Sequence, residues 1–380
     1  MARLGDICTQ ITDGSHNPPS GISWSKYLML SSKNIDDDQI TLQEPRFLSE
    51  MDYQNENKRT NIVKGDLLMT IVGTVGRVAV VPEQFSGICV QRSVAVLKPK
   101  HDIVYNRFLM YQLQNMRSYL EREARGVAQK GIYLKQVSQL PILLPPLGEQ
   151  RRIATLLDKV SDLITKRRAQ LDKLDLLVKS RFVEMFGDPS GNTRWPTMKL
   201  PQLGELNRGV SKHRPRNDPR LLGGAYPLIQ TGDVSNSGLY ILSYSSAYSE
   251  LGLEQSRLWR SGTLCITIAA NIAQTSILTF DACFPDSVVG FVPNNKTNSV
   301  FVHYWFSFFQ KILEDQAPQV AQKNINLKIL SDLDVIVPPY TLQEDFSAFV
   351  SRVEKSKLAI QQSLNKLETL KKALMQRYFR

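Results

Sequence analysis

"LPILLPPLGEQRRIATLLDKV" occupies residues 140–160, and "LDVIVPPYTLQEDFSAFVSRV" occupies residues 333–353. In each, a short aliphatic run meets a Pro-Pro pair, and a glutamine then opens a long polar–apolar stretch. Proline cannot extend a helix from within, and it biases the residue before it toward extended backbone. Each pair therefore closes a strand-like segment and lets a helix start behind it.

The echo reaches well beyond the junction. At an offset of 193 residues Pro145-Pro146 meets Pro338-Pro339, Gln150 meets Gln343, Ala128-Gln129-Lys130 meets Ala321-Gln322-Lys323, and Lys173-Leu174 meets Lys366-Leu367. "KGDLLMTIVGTVGRVAVV" (residues 64–81) matches "SGTLCITIAANIAQTSIL" (261–278) at offset 197, and "RLGDI" (3–7) aligns with "QLGEL" (202–206) at offset 199. A drifting offset is what loop insertions produce, and a period this long indicates a domain duplication rather than a solenoid.

Each half has a globular part built of short β-rich runs bounded by Gly and Pro, such as "DLLMTIVG" and "TLCITIA", followed by a helical pattern. Strands and helices do not alternate strictly, which argues against a doubly wound sheet. Each tail is a long helix with a narrow apolar seam. The first carries Ile153, Leu157, Val160, Ile164, Leu171 and Leu174, and the second Phe349, Val353, Ile360, Leu364 and Leu367, with polar gaps at Arg167 and Lys357. Gly187 and Pro189 stop the first helix. Some 35 residues give a rod of roughly 50 Å. Two narrow seams are most simply buried on one another, and the repeat makes that pairing antiparallel; packing of each helix on its own globular part is the other option. The expected class is α+β: two globular units separated by two long antiparallel helices in a pseudo-two-fold repeat.

The chain has 380 residues, long enough for two cores, with 42% hydrophobic and 22% charged residues. No apolar run is long enough for a membrane span, and the opening residues lack a signal-peptide pattern. Four scattered cysteines without a CxxC, and four scattered histidines, offer no zinc pattern and fit a reduced, cytoplasmic protein. A net charge of +11 suits a polyanionic partner.

Catalytic patterns fail one by one. "NPPS" (17–20) puts Ser20 where an adenine methyltransferase places an aromatic against the flipped base. "VPPY" (337–340) has the aromatic but lacks the preceding Asn or Asp. No GxxxxGK[ST] cradles a nucleotide, and Gly73 with Gly76 is too little for a cofactor turn. "ENK" (56–58) lacks the Pro-Asp of a nuclease. A basic, duplicated chain without chemistry of its own reads as a recognition device, with no catalytic and no metal-binding residues assigned.

The stretches "GVAQKGIYLKQVSQLPILLPPLGEQRRIATLLD" (126–158), "QVAQKNINLKILSDLDVIVPPYTLQEDFSAFV" (319–350) and "TVGRVAVVPEQFSGICVQRSVAVLKP" (74–99) resemble the specificity subunit of type I restriction-modification enzymes. The resemblance covers essentially the whole chain, and its most specific part is the twice-written Pro-Pro-x-x-x-Gln junction. The second copy departs locally, lacking the basic pair that follows Gln150. The resemblance implies two target recognition domains, residues 1–146 and 188–339, each reading one half of a split double-stranded DNA target. The helices at 147–187 and 340–380 would act as a ruler and dock two methyltransferase subunits. Restriction subunits would join, and S-adenosylmethionine, ATP and Mg2+ would belong to those partners, with no membrane involved.

Reading DNA requires polar side chains at base edges and basic ones at phosphates. In the first unit the candidates are Ser15, His16, Asn17, Lys33, Asn34, Arg77, Gln91 and Arg92; in the second they are Lys212, His213, Arg214, Arg216, Gln230, Asp233, Asn271 and Gln274. Any of these could instead be a solvated loop side chain. Gln129-Lys130 and Gln322-Lys323 sit at matching positions, which fits a shared phosphate contact or a structural turn. Lys166-Arg167-Arg168 could touch spacer DNA or form a solvated helix face. Two rivals stand beside this reading: an orphan methyltransferase or fused restriction-methylation enzyme, which would need a cofactor motif, and a helical protein-binding scaffold without DNA specificity.

Overall fold

The computed structural model describes residues 1–124, 131–191, 194–269, 272–316 and 325–380, the side chains of 190 and 311–316 excepted. Contacts divide the chain into two units: Met1–Arg168 with Gln362–Arg380, and Ala169–Gln361. The division cuts through both long helices, so each unit owns a segment of each.

Unit 1 has an antiparallel sheet in the order Cys8–Asp13, Val94–Pro99, Leu67–Thr70, Val78–Val80. Both faces are buried. Leu67, Met69, Ala95 and Leu97 point to a core shared with Phe108, Leu109 and Leu113 of the helix Asn106–Asn115. Leu68, Val94 and Val96 point the other way, to Leu30, Ile88 and Val90. Alternation by two places successive side chains on opposite faces, and burial of both faces explains the unbroken apolar runs. A second sheet runs Arg46–Leu48, Tyr27–Leu30, Ile88–Val90, its last pair parallel. Ala2–Arg3 pairs with Pro141–Ile142, just ahead of the prolines.

Unit 2 repeats this plan. Its main sheet runs Gly204–Arg208, Val288–Pro293, Leu264–Thr267, Thr275–Leu278, and Tyr240–Ile241 adds a parallel edge. The second sheet runs Ser246–Tyr248, Leu222–Leu228, Ala282–Cys283, Leu258–Trp259. Thr197–Lys199 pairs with Asp334–Ile336, as Ala2–Arg3 does with Pro141–Ile142. The duplication is thus visible strand by strand, and the α+β class holds. One alignment needs correction. The Leu4 amide bonds the Leu140 carbonyl at 2.9 Å, and the Leu200 amide bonds the Leu333 carbonyl at 3.2 Å. Leu4 therefore corresponds to Leu200, so "RLGDI" does not match "QLGEL". Letter likeness over five residues misled where pairing to the next strand sets the register.

The long helices are Leu147–Phe186 and Tyr340–Tyr378, each beginning directly after its proline pair. The junction glutamines explain why the sentence recurs. Gln150 is buried; its side-chain amide donates to the carbonyls of Pro145 (2.8 Å) and Ile103 (3.2 Å) and its oxygen accepts from the Tyr105 amide (2.8 Å). Gln343 is equally buried; it donates to Pro338 (2.9 Å) and Lys296 (3.0 Å) and accepts from the Thr297 hydroxyl (3.0 Å). Each glutamine ties the first turn of its helix to the proline strand and to the loop ahead of the preceding helix. The first helix ends at Gly187, whose φ of +82° suits glycine and whose amide bonds the Val183 carbonyl.

Within each unit the two helix segments run antiparallel. In unit 1, Ile153, Ala154 and Leu157 share a core with Phe379, against which Leu374, Met375 and Tyr378 pack. Arg168 pairs with Glu368 at 2.7 Å. In unit 2, Val178, Phe182 and Phe186 meet Phe346, Val350 and Val353, with Leu174 and Phe349 packed on the same core. Phe182 and Phe346 stand edge to face at 5.4 Å between ring centroids. Val160, Ile164 and Leu364 are buried, while Leu171, Ile360 and Leu367 are half-buried. Lys357, the polar gap in the second seam, donates to both Asp175 and Glu354 at 2.8 Å. Burial works against its charge, but the two carboxylates outweigh that and hold its pKa above the usual lysine value.

Candidate nucleic-acid interface

In unit 1 the strand Cys8–Asp13 ends, and Val94–Pro99 begins, at the same end of the sheet as the turn joining Leu67–Thr70 to Val78–Val80. Backbone bonds then join the neighbouring loops. The Ser15 amide bonds the Val90 carbonyl, the Arg92 amide bonds the Ser15 carbonyl, and the Gln91 amide bonds the Leu30 carbonyl. The Ser32 amide reaches the Ser93 hydroxyl at 3.1 Å. These bonds gather Ser15, His16, Asn17, Lys33, Gln91 and Arg92 at one rim, with Arg77 on the adjoining turn. Gly14 permits the close approach, because a Cβ there would lie 1.8 Å from the Val90 carbonyl oxygen.

Unit 2 builds the same rim. Gly209 takes the place of Gly14, and a Cβ there would lie 2.3 Å from the Phe284 oxygen. The loop after Gly204–Arg208 brings Lys212, His213, Arg214 and Arg216; the loop after Leu222–Leu228 brings Gln230 and Asp233; the turn before Thr275–Leu278 brings Gln274. All lie at the same end of their sheets.

The turn carrying Arg77 and the one carrying Gln274 share their hydrogen bonds. The amides of Gly76 and Ala273 each bond a threonine carbonyl, Thr70 and Thr267, at 2.8 Å. The amides of those threonines bond the carbonyls of Arg77 and Gln274 at 2.9 Å. The threonine hydroxyls accept from the amides of Arg77 (3.0 Å) and Gln274 (3.1 Å). Ile132 and Ile325 then bond the carbonyls of Ile71 and Ile268. Gly76 and Ala273 both have positive φ, +87° and +57°.

The sequence candidates fall into distinct groups. Asn17, Lys33, Arg92 and Lys212 are exposed, and their side chains have no hydrogen-bond or ionic partner among the described residues. His16 is exposed beside Asp13 at 2.9 Å. Arg214 and Arg216 converge on Asp286, and His213 bonds Asp218 at 3.0 Å. Hydrogen bonds from Arg220 hold the Asp218 carboxyl well below the usual carboxylate range, with His213 contributing. Two candidates are held by bonds within their own loops. Asn34 is buried, donating to the carbonyls of Thr41 and Gln43 and accepting from Ser31, so it fastens its own loop. Asp233 accepts from the Gln230 amide and the Ser245 hydroxyl, capping a short helix. Short polar side chains bond nearby backbone as readily as solvent, and composition does not separate the two. Gln129, Lys130, Asn271, Gln322 and Lys323 lie outside the described residues.

Sequence reasoning passed over the braces of these loops. Arg59 pairs with Asp13 at 2.5 Å and reaches the Thr12 hydroxyl, so it anchors the end of the strand beneath His16. Arg46 donates to the carbonyls of Pro18 and Pro19, which shapes the "NPPS" loop. Only charge in a polar stretch marked them. Trp24 stands 74% exposed in the same loop. Among the described residues no cluster of His, Cys, Asp or Glu is placed to hold a metal ion, and no helix is long and apolar enough to cross a membrane.

Comparison with known proteins gives the frame a family. A profile described as the type I restriction modification DNA specificity domain matches residues 26–173 and again 192–371. The putative type I restriction enzyme MjaX specificity subunit of Methanocaldococcus jannaschii is 21% identical over 86% of this chain and 82% of its own length. The type I restriction enzyme EcoBI specificity subunit of Escherichia coli is 33% identical over 32% of this chain and 25% of its own. The solved S subunit of a type I restriction-modification system from M. genitalium has a like fold, with a TM-score of 0.59 at 15% identity, over all of this chain and 95% of that one. A chain from a study of complex assembly and conformational transition in a type I R-M system gives a TM-score of 0.55 at 18% identity, covering 100% and 97%. Matched once in each half, this chain belongs to the family of type I restriction modification DNA specificity domains.

Proposed function

We propose that this chain is the sequence-reading subunit of a type I restriction-modification complex. Each unit reads one half of a bipartite duplex target through the loops at one end of its main sheet. The long helices set the separation of the halves and dock two methyltransferase subunits, and restriction subunits complete the assembly. The chain itself transfers no methyl group and cuts no DNA; S-adenosylmethionine, ATP and Mg2+ act in the partners. The observation that carries the reading is one hydrogen-bonded frame used twice with different polar side chains on its rim. A shared frame fixes where side chains are presented, and divergent loops fix what they select.

Two measurements test it. Binding of the purified chain to duplex DNA should weaken linearly in log Kobs against log salt, with a slope of about 0.9 per phosphate contacted. Methylation mapping on DNA from cells expressing the chain with methyltransferase subunits should give two short specified blocks separated by a fixed unspecified gap. A contiguous target, salt-independent binding, or methylation by the isolated chain above a mock preparation refutes the proposal.

A further inference from the structure

Arg77 and Gln274 hold one position in one turn, written once in each unit. The backbone of Arg77 and that of Gln274 are each bonded to the matching threonine in the same way, so the Cβ leaves the backbone alike in both. The side chain differs in kind: a guanidinium in unit 1, a neutral amide in unit 2. Neither is committed elsewhere among the described residues. Gln274 is half-exposed, and its side-chain amide has no partner among the described residues. Among the described residues Arg77 meets only the exposed Asp36, at 3.7 Å, a pair that solvent screens. By contrast Arg117, close by, is spent on Asp37 and the Gly76 carbonyl.

A position that served to neutralise phosphate would need a cation in both copies, and Gln274 has no charge to offer. What changes between copies is the pattern of donors and acceptors, which is the quantity that distinguishes base edges. An arginine fork donates twice and matches O6 and N7 of guanine, whereas a glutamine amide donates once and accepts once and matches N7 and N6 of adenine. We propose that Arg77 and Gln274 are specificity-determining residues, Arg77 selecting a guanine in the half-site of unit 1 and Gln274 an adenine in the half-site of unit 2. The inference rests on the DNA-reading function proposed above.

The experiment uses the full chain assembled with its methyltransferase subunits. The target is first mapped with the wild-type complex, and binding is then measured on duplexes carrying each single base-pair change. Arg77→Ala should lower affinity for the mapped target about 10- to 100-fold and abolish discrimination at one G·C pair of one half, leaving the other half unchanged. Gln274→Ala should do the same at one A·T pair of the other half. Arg77→Gln should move the preference at the first position toward A·T, which separates a reading role from general damage. Melting temperatures of the variants should stay at the wild-type value, because the bonds that close the turn come from backbone and threonine. Uniform weakening on every duplex, with a smaller salt slope, would make Arg77 a phosphate contact and overturn the inference. So would unchanged discrimination in both alanine variants. A wild-type complex without a bipartite target would bring down the functional proposal itself, an outcome visible before any variant is made.

Discussion

Replacing Gln150 by leucine keeps the volume near the native one and removes every hydrogen bond that the side chain makes. The Tyr105 amide loses its acceptor at 2.8 Å, and the carbonyls of Pro145 and Ile103 lose their donors at 2.8 and 3.2 Å. A net loss of about 1 kcal/mol per bond gives about 3 kcal/mol, and a buried amide left unpaired raises the cost further. The chain has two units, so one global unfolding midpoint is not a clean measure. Hydrogen exchange is, because it reports each amide separately. In the Gln150→Leu variant the Tyr105 amide should exchange about 100-fold faster, since about 1.4 kcal/mol corresponds to tenfold. Gln343→Leu breaks the equivalent bonds in unit 2 and should leave Tyr105 at its wild-type rate. Unchanged protection of Tyr105 in Gln150→Leu, or equal loss in both variants, would refute the view that each glutamine staples its own unit.

Three further outcomes are expected. Burial, with Lys357 and Lys179 nearby, depresses the His303 pKa to about 4 although Thr275 bonds the ring, so the folded state holds this histidine neutral. The unfolded chain then binds more protons between about pH 6.5 and that value; stability of unit 2 should be full above the unfolded pKa and fall as pH drops toward 4, and melting curves of His303→Gln should lose part of that slope. Gly76→Ala places a side chain at a φ of +87° and should destabilise unit 1 by about 1 kcal/mol, read by hydrogen exchange of the unit 1 amides. Inserting one heptad after Leu171 and one after Leu364 adds about 10 Å of helix in phase with the seam, so the mapped target should gain up to about three unspecified base pairs; an assembled, DNA-binding variant that methylates at the old spacing would remove the ruler role.

The duplication was legible because the junction carries rigid, rare constraints. Two prolines and a buried glutamine tolerate little change, so Pro145, Pro146 and Gln150 reappear as Pro338, Pro339 and Gln343. The helix seams were legible through periodicity, and even the polar gap at Lys357 proved to be a feature, with Asp175 and Glu354 supplied to meet it. The threonine turn was half legible. Its letters aligned at 64–81 and 261–278, but the alanine at 273 concealed a left-handed residue that glycine marks at 76. Loop chemistry was the least legible. Asn34 and Lys33 are neighbours in a polar run, yet one is folded into the loop and the other faces solvent. That difference depends on where Thr41 and Gln43 put their carbonyls, which no local pattern states.

The division of the helices between the units has a consequence for how the protein is made. Unit 2 is one unbroken stretch, Ala169–Gln361, whereas unit 1 is completed by Gln362–Arg380. A ribosome therefore delivers every residue of the second reader before it delivers the last piece of the first. Until those residues emerge, the apolar faces of Phe108, Ile153 and Leu157 lack Phe379 and the residues packed around it. The half begun earliest is the half finished last, so loss of the distal segment would strike the unit encoded farthest from it and leave the nearer one whole.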